Sequence, residues 1–496
     1  MAFYYLIQDR LPQRAQRWHK ERQSNSSFVS FVKTLSVPCG KILRGCIALL
    51  TFVSILIVLP AGMSRASWVA AIGGCGVVLF FYSAQRYGGH RVSQRKILLF
   101  VMTAVLLAGC VGMYLMKKDS ADGRAFIWKN AIRTVWHHPM GVGIGNFAGS
   151  YGETQAAYFA SGKGTEREQF VAGNPDYAFN EYLQICIEHG VIPFVLFVGL
   201  VGYAIVEPLK KYVNRKGHKE GTKDTKAKRK KEFIRPDEAL VTSPLPPSKG
   251  EFGEWVAGVG ALVALLIVAA MSYPFSVLPF LIVFVFLLAM SGMNGTRMTQ
   301  IRQMNADKKI KSAKIPKICV ICMPFLCISL TAFCLYIEFP KYQAYKKWNT
   351  DRFLYTTGLY RDVVKNYEEP YPLLNDQIKF LFEYAQSLSK TEQYEESNQV
   401  LEKAIRISCD PMLYNVMGNN YKGMGEYGKA ENMYLCASHI VPNRHYPLYL
   451  LMKLYEETGQ IDKAKAMADA LLEKPIKVPS TAIREMQEEA KKITNH

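Results

Sequence analysis

The chain has 496 residues, 49% of them hydrophobic and 21% charged, and carries a formal net charge of +20 at pH 7. Those totals would suit a soluble enzyme of two or three domains, but the uneven placement of apolar and basic residues excludes it. The same placement excludes a nucleic-acid-binding stripe, because the surplus charge is confined to connectors between apolar runs.

Apolar runs lie at about residues 45–60, 67–83, 97–116, 190–206, 255–271, 275–291 and 318–337, each nearly free of charge. Each is long enough to cross a hydrocarbon core of roughly 30 Å, which predicts about seven spans. Residues 1–44, 84–96, 207–254 and 292–317 together hold 32 of the 61 Lys and Arg residues against 11 acids. By the positive-inside pattern these connectors face the cytoplasm, while 61–66, the loop 117–189 and everything after 338 lie outside. The opening "MAFYYLIQDRLPQRAQRWHK" has no long apolar core or cleavage site, so the first span is expected to act as an internal signal. The organisation that follows is a cytoplasmic segment 1–44, a membrane domain 45–338 and an external domain 339–496. Within the membrane domain, "KGHKEGTKDTKAKRKK" and "SPLPPSKGEFGE" make 207–254 a disordered cytoplasmic loop, its basic tract suited to anionic headgroups.

The short external turn "AGMSRASW" holds Arg65, the one charge between Arg44 and Arg86. A guanidinium at a membrane mouth either snorkels to the headgroups or binds a ligand. Loop 117–189 is far longer than a plain connector needs to be, and its composition is not that of a disordered segment. In "DGRAFIWKNAIRTVW", Asp122 suits an N-cap, and Phe126, Trp128, Ile132 and Val135 suit the apolar face of a helix lying on the outer leaflet. Lys129 and Arg133 share another face, with Arg124 near the start. The breaker stretch "HHPMGVGIGNF" follows, and its glycines lack the preceding strand that a dinucleotide site needs. Next, "DYAFNEYLQICIEHG" places Asn180, Glu181, Gln184 and Glu188 at helical spacing, giving the following apolar run a polar start. Topology puts Arg65 on the same side as Arg124. Two converging guanidiniums would suit a diphosphate, because the planar fork binds phosphate oxygens bidentately and keeps its charge.

Cys319, Cys322, Cys327 and Cys334 lie in or beside the last run without interleaved histidines, so packing is expected there and not zinc. Further on, Cys409 and Cys436 could pair. The tail repeats itself: "QYEESNQVLEKAI" begins at Gln393, "EYGKAENMYLCAS" at Glu426 and "QIDKAKAMADALL" at Gln460. They align Tyr394 with Tyr427 and Ile461, and Ser397 with Ala430 and Ala464; Tyr360 in "LYRDVVKNYEE" falls one period before Tyr394. This period resembles tetratricopeptide repeats, whose stacked hairpins form a superhelix with a concave docking surface for protein or peptide. A rigid spacer is the alternative.

The pieces "SRASW", "GRAFIWKNAIRTVWHHPMGVGIGNF" and "FNEYLQICIEHGVIPFVLF", in this order around a large external loop, resemble the O-antigen ligase and polymerase family of bacterial membrane glycosyltransferases. The resemblance covers about residues 45–205. It implies an all-α, multi-pass bundle in the bacterial inner membrane, with the repeat domain in the periplasm. The implied activity is transfer of a glycan from undecaprenyl diphosphate to a lipid or sugar acceptor, as in lipopolysaccharide biosynthesis, without metal or cofactor. Expected partners are the membrane, the lipid-linked glycan, its acceptor and a protein on the repeats, with no nucleic acid. Arg65 and Arg124 would hold the lipid diphosphate, and Arg133 and Asn180 complete the substrate-binding candidates.

In that family a histidine commonly precedes the asparagine of this motif and is the favoured base. Phe179 stands there in this chain and cannot accept a proton. Glu181, Glu188 and His189 are therefore the candidate bases, with His137 and His138 as alternatives. Relatives usually carry several spans before the "SR" turn and this chain has one, so it is expected to start internally relative to them. The competing expectation is a non-catalytic membrane anchor whose repeats recruit envelope-assembly partners. A transporter is disfavoured, because no run shows paired intramembrane charges.

Overall fold

The computed structural model describes residues 65–86, 118–206, 249–293 and 317–494, with a short helical stretch inside 49–57. Among the described residues every regular element is helical, in agreement with the all-α expectation. In chain order the helices are α1 (Arg65–Arg86), α2 (Lys118–His137), α3 (Phe147–Ala160), α4 (Glu166–Val171) and α5 (Glu181–His189). Helical backbone over 191–206 follows. Then come α6 (Lys249–Met271), α7 (Leu278–Met293), α8 (Lys317–Thr356), α9 (Tyr360–Tyr367), α10 (Ile378–Lys390) and α11 (Tyr394–Ile407). The last five are α12 (Pro411–Gly423), α13 (Tyr427–Ile440), α14 (Tyr446–Glu457), α15 (Ile461–Glu473) and α16 (Thr481–Thr494). The chain divides into two compact units, Met1–Met116 with Val195–Ile310, and Lys117–Phe194 with Lys311–His496.

In the first unit α1 packs along α6. Their backbones meet at two glycines: a Cβ on Gly74 would lie 2.8 Å from the Gly260 carbonyl oxygen. Val78, Val256, Ala257 and Val259 close over that contact. Leu262 and Leu265 of α6 pack with Val201, Phe284 and Leu287. Among the described residues no helix is long and apolar enough to cross a membrane. Helix α7 has 16 residues, short of the roughly 20 that a span takes. In α6 three of the first six residues, Lys249, Glu251 and Glu254, are charged. The run expected at 97–116, most of 45–60 and most of the loop 207–254 lie outside the described residues.

In the second unit the tail helices pair as α10 with α11, α12 with α13 and α14 with α15, each pair touching the next. Helices α9, α11, α13 and α15 begin at Tyr360, Tyr394, Tyr427 and Ile461, the four residues that the sequence period aligns. Ser397, Ala430 and Ala464 are all buried. The residues heading these helices, Leu359, Gln393, Glu426 and Gln460, share one backbone conformation, with φ of −80, −87, −86 and −87 and ψ of 59, 67, 64 and 64. One residue earlier the chain is left-handed in every copy: Gly358, Gly425 and Gly459 at φ of 78, 79 and 73, and Glu392 at φ of 64. Glycine takes that conformation without a Cβ clash, and glutamate does not.

The loop helices fold onto this tail. Helix α3 packs on α11 and α13, and Gly149 and Gly152 let it lie directly on the chain at Arg406 and Cys409. One core joins Phe147, Ala148, Tyr151 and Ile187 of the loop to Cys409, Ile440 and Val441 of the tail. The fully buried Gln155 donates from Nε2 to the carbonyls of Gly173 and Ile440, and its Oε1 accepts from the Tyr151 hydroxyl at 2.6 Å. Asn443 Nδ2 donates to the carbonyls of Ala172 at 2.7 Å and Phe170 at 3.1 Å.

Two expectations change as a result. The apolar face expected of α2 meets protein in part: Phe126 packs on Tyr158 and Phe159, and Val135 on the shared core, because the loop supplies its own apolar partners, while Ile132 stays 48% exposed. Cys409 does not pair with Cys436, since both are free. The buried Cys409 thiol donates to the Pro175 carbonyl at 3.7 Å, and burial, with Asp176 and Asp410 nearby, pushes its pKa far above the ordinary thiol range.

Replacing Glu392 by glycine relieves the one left-handed side chain in the repeat turns, and should stabilise the tail by about 1 kcal/mol, read as a higher melting midpoint. Gln155→Ala leaves buried carbonyls without a donor and should cost about 1–3 kcal/mol. Hydrogen exchange over 170–174 and 440–443 should accelerate in that variant and stay slow in the parent.

Candidate functional site

Helix α2 organises the loop. It is already formed at Lys118, so Asp122 is not its cap. Asp119 and Asp122 bind Arg167 of α4 instead, with Asp122 Oδ2 accepting from Nη2 at 2.7 Å and from Nε at 3.0 Å. Acids in the opening turns also suit the positive end of the helix dipole. Arg124 and Arg133 stand nine residues apart, which at about 100° per residue is half a turn out of phase. They face opposite ways.

On the first face the Arg124 guanidinium lies over the Phe179 ring, 5.2 Å from its centroid. Trp128 Nε1 donates to the Ala178 carbonyl, and the Ala178 amide donates to Gln184 Oε1, both at 3.0 Å. These bonds fix the approach to Phe179, whose φ of 51 is left-handed and turns the chain into α5. Asn180 Oδ1 caps that helix, accepting from the amides of Tyr182 at 3.0 Å and Leu183 at 3.2 Å. The asparagine expected to bind substrate thus has its side-chain oxygen occupied by the cap.

The candidate bases do not converge. Glu181, 4% exposed, opens α5, whereas Glu188 and His189 close it. Eight residues of helix separate Glu181 from His189 by about 12 Å. Glu181 begins the helix two residues after Phe179. At the other end Glu188 accepts from Gln184 Nε2 at 3.0 Å, and His189 is exposed.

The glycine stretch is a backbone crossing. The amides of Val142 and Gly143 donate to the Ile187 and Glu188 carbonyls at 2.8 and 2.9 Å, satisfying the last turn of α5. Val191 N donates back to the Pro139 carbonyl at 3.0 Å. A Cβ on Gly141 would sit 2.7 Å from Gly190 N, and one on Gly190 would sit 2.7 Å from the Met140 carbonyl carbon. Both glycines are left-handed as well, at φ of 89 and 92.

On the second face Arg133 stacks over the Tyr158 ring at 4.2 Å and donates to Asn130 Oδ1 at 2.9 Å. Tyr158 is buried, and its hydroxyl donates to Glu168 at 2.7 Å. Burial alone would raise the Glu168 pKa. Lys129, Tyr158 and the Thr165 amide outweigh it and hold the carboxyl at about 2. Around this platform opens a cleft of about 640 Å³ whose lining includes Arg133, His137, His138, Glu153, Tyr158 and Lys163. Arg133 and Lys163 outnumber Glu153, so the cleft attracts anions, and the arginine fork and imidazoles can donate to phosphate or sugar oxygens. Sequence reasoning names Arg133, His137 and His138 but misses Glu153, Tyr158 and Lys163, which sit on or beyond another helix with no spacing that ties them to α2. Arg65 is the first residue of α1, and its side chain lies outside the described residues. Among the described residues no group of His, Cys, Asp and Glu could hold a metal ion.

Residues 50–198 match the family model described as O-Antigen ligase, a range that contains both faces of α2 and the whole cleft. No curated protein matches the chain. The match supports an O-antigen ligase/polymerase family for this part of the chain. Such proteins are glycosyltransferase-type enzymes, typically integral to the inner membrane, that act on polyprenyl-linked glycans and lipid acceptors.

Glu168 supplies a pH test. Its pKa is lowered on folding from 4.5 to about 2, so its contribution is present above pH 4.5 and is lost as pH falls through that window. Hydrogen-exchange protection over 163–171 should fall between those values. In Glu168→Gln it should be weaker throughout and flat with pH.

Proposed function

We propose that the chain transfers a glycan from undecaprenyl diphosphate to a hydroxyl of a lipid or sugar acceptor at the outer face of the inner membrane. The observation that carries this reading is a cationic cleft floored by an aromatic ring, inside the segment that matches the ligase family. In the reaction the acceptor oxygen attacks the anomeric carbon, the bond from that carbon to the diphosphate oxygen breaks, and the hydroxyl proton passes to a base. Negative charge grows on the leaving diphosphate, where a prepositioned guanidinium lowers the barrier.

Because Arg124 and Arg133 face opposite ways, they take different work. Arg124, steadied over Phe179, holds the diphosphate, a role the resemblance also gives Arg65. Arg133 and the cleft hold the polar part of the second substrate. Glu181 is the base, buried two residues from the phenylalanine that cannot serve, and the Asn180 cap fixes its position.

The membrane setting draws on the basic connectors and on exposed apolar side chains: Leu196 and Leu200 along 191–206, and Leu278, Ile282 and Val285 along α7. Close glycine contact between helices, as at Gly74 and Gly260, suits association in lipid, where water exclusion does not drive helices together. With the tail periplasmic, its packing on α3 makes it the support of the catalytic loop. That packing also covers part of the surface that a recruiting scaffold would offer.

The test is glycan transfer in a strain lacking the gene, complemented with the parent, Arg65→Ala, Arg124→Ala or Glu181→Gln, with membrane insertion checked for each. Transfer should fall by about 100-fold or more in each variant while insertion holds. Parental transfer by Arg124→Ala would sink this assignment, and no transfer from a correctly inserted parent would leave the membrane-anchor reading.

A further inference from the structure

One edge of the loop takes no part in the chemistry above. Trp136, Met140 and Ile144 are 81%, 80% and 79% exposed, and Val191 and Ile192 are exposed as well. The bond from Val191 N to the Pro139 carbonyl and the Gly141–Gly190 crossing bind these pieces together. The edge is thus built from the last turn of α2, the glycine turn and the start of the 191–206 helix. Its backbone is fixed while its large apolar side chains stand in the open, which a water-facing loop does not favour.

Two features say what covers this edge. It runs without a break into a helix whose exposed large apolar residues, at 191, 192, 195, 196, 198, 200, 203 and 206, spread over more than half of its circumference, while Phe197, Val201 and Ile205 on the other side pack against α6 and α7. A protein groove would cover a narrow stripe of such a helix, whereas acyl chains cover an apolar face as broad as this one. Charge supplies the second feature: Arg133 and Lys163 line the cleft that opens beside this edge, along with His137 and His138. An indole among aliphatic side chains, flanked by cations, matches the headgroup region of a bilayer in polarity and in sign.

We propose that Trp136, Met140, Ile144, Val191 and Ile192 insert into the headgroup region of the outer leaflet and seat the mouth of the cleft on the membrane. The occupant of the cleft is then the polar head of a membrane lipid. This rests on the membrane reading above and deepens it by naming the lipid-contacting surface and the substrate class that enters from it.

The experiment uses the full chain reconstituted in phosphatidylcholine vesicles, with and without bromine on the acyl chains. The emission of Trp136 is the difference between the parent and Trp136→Phe, and that of Trp68, in α1, comes likewise from Trp68→Phe. Loss of the Trp136 signal in brominated lipid, with little loss to aqueous iodide, is the expected result. Stronger quenching by iodide, which places the edge in water, overturns the proposal. So does quenching by neither, which places it under protein. Trp68 quenched by bromolipid with Trp136 spared keeps the membrane reading and removes the edge, while both spared removes both.

Discussion

The backbone carbonyls of residues 170–173 are the constraint on which the second unit depends. This stretch comprises the last turn of α4 and the two residues after it, whose carbonyls have no partner within the helix and so need donors from elsewhere. Gln155 supplies one from within the loop, and Asn443 and Lys477 supply the others from the tail. The same Gln155 amide reaches the Ile440 carbonyl at the end of α13. Loop and tail are bonded into one body by donors that neither could replace alone. The repeats therefore serve the chain's own loop first, and any partner must use the surface that α3 leaves open.

Within that body α2 separates two kinds of cationic site. Each of its arginines rests on an aromatic ring, which restrains the guanidinium. Lys129, by contrast, is consumed in the ion pair with Glu168, which anchors Tyr158 beneath Arg133. In α5 the left-handed turn at Phe179 and the Asn180 cap set the helix start, so Glu181 opens the helix and Glu188 lies about two helical turns further on.

Much of this is legible in the sequence where the determinant is local. The period of the tail fixes where α9, α11, α13 and α15 begin, because each hairpin needs the same left-handed turn and a small residue where its helices touch. The same locality makes the glycine stretch a breaker and makes Asn180 a helix start. Even the opposition of Arg124 and Arg133 is implicit in their spacing of nine, once the helix is known to be continuous.

What only the tertiary structure decided is the choice of distant partners. Asp122 suits a cap by its residue type, but Arg167, from a different helix, claims it inside α2. Phe126 and Val135 suit a lipid-facing stripe, but the loop and the tail offer apolar surface nearer at hand. Phe179 reads as a missing base, and in the fold its ring is the rest for Arg124. Spacing along a chain encodes the direction a side chain points relative to its neighbours. Which buried donor, ring or carboxylate it then meets is set by how helices far apart in the chain bury their remaining polar groups together, and no local pattern carries that information.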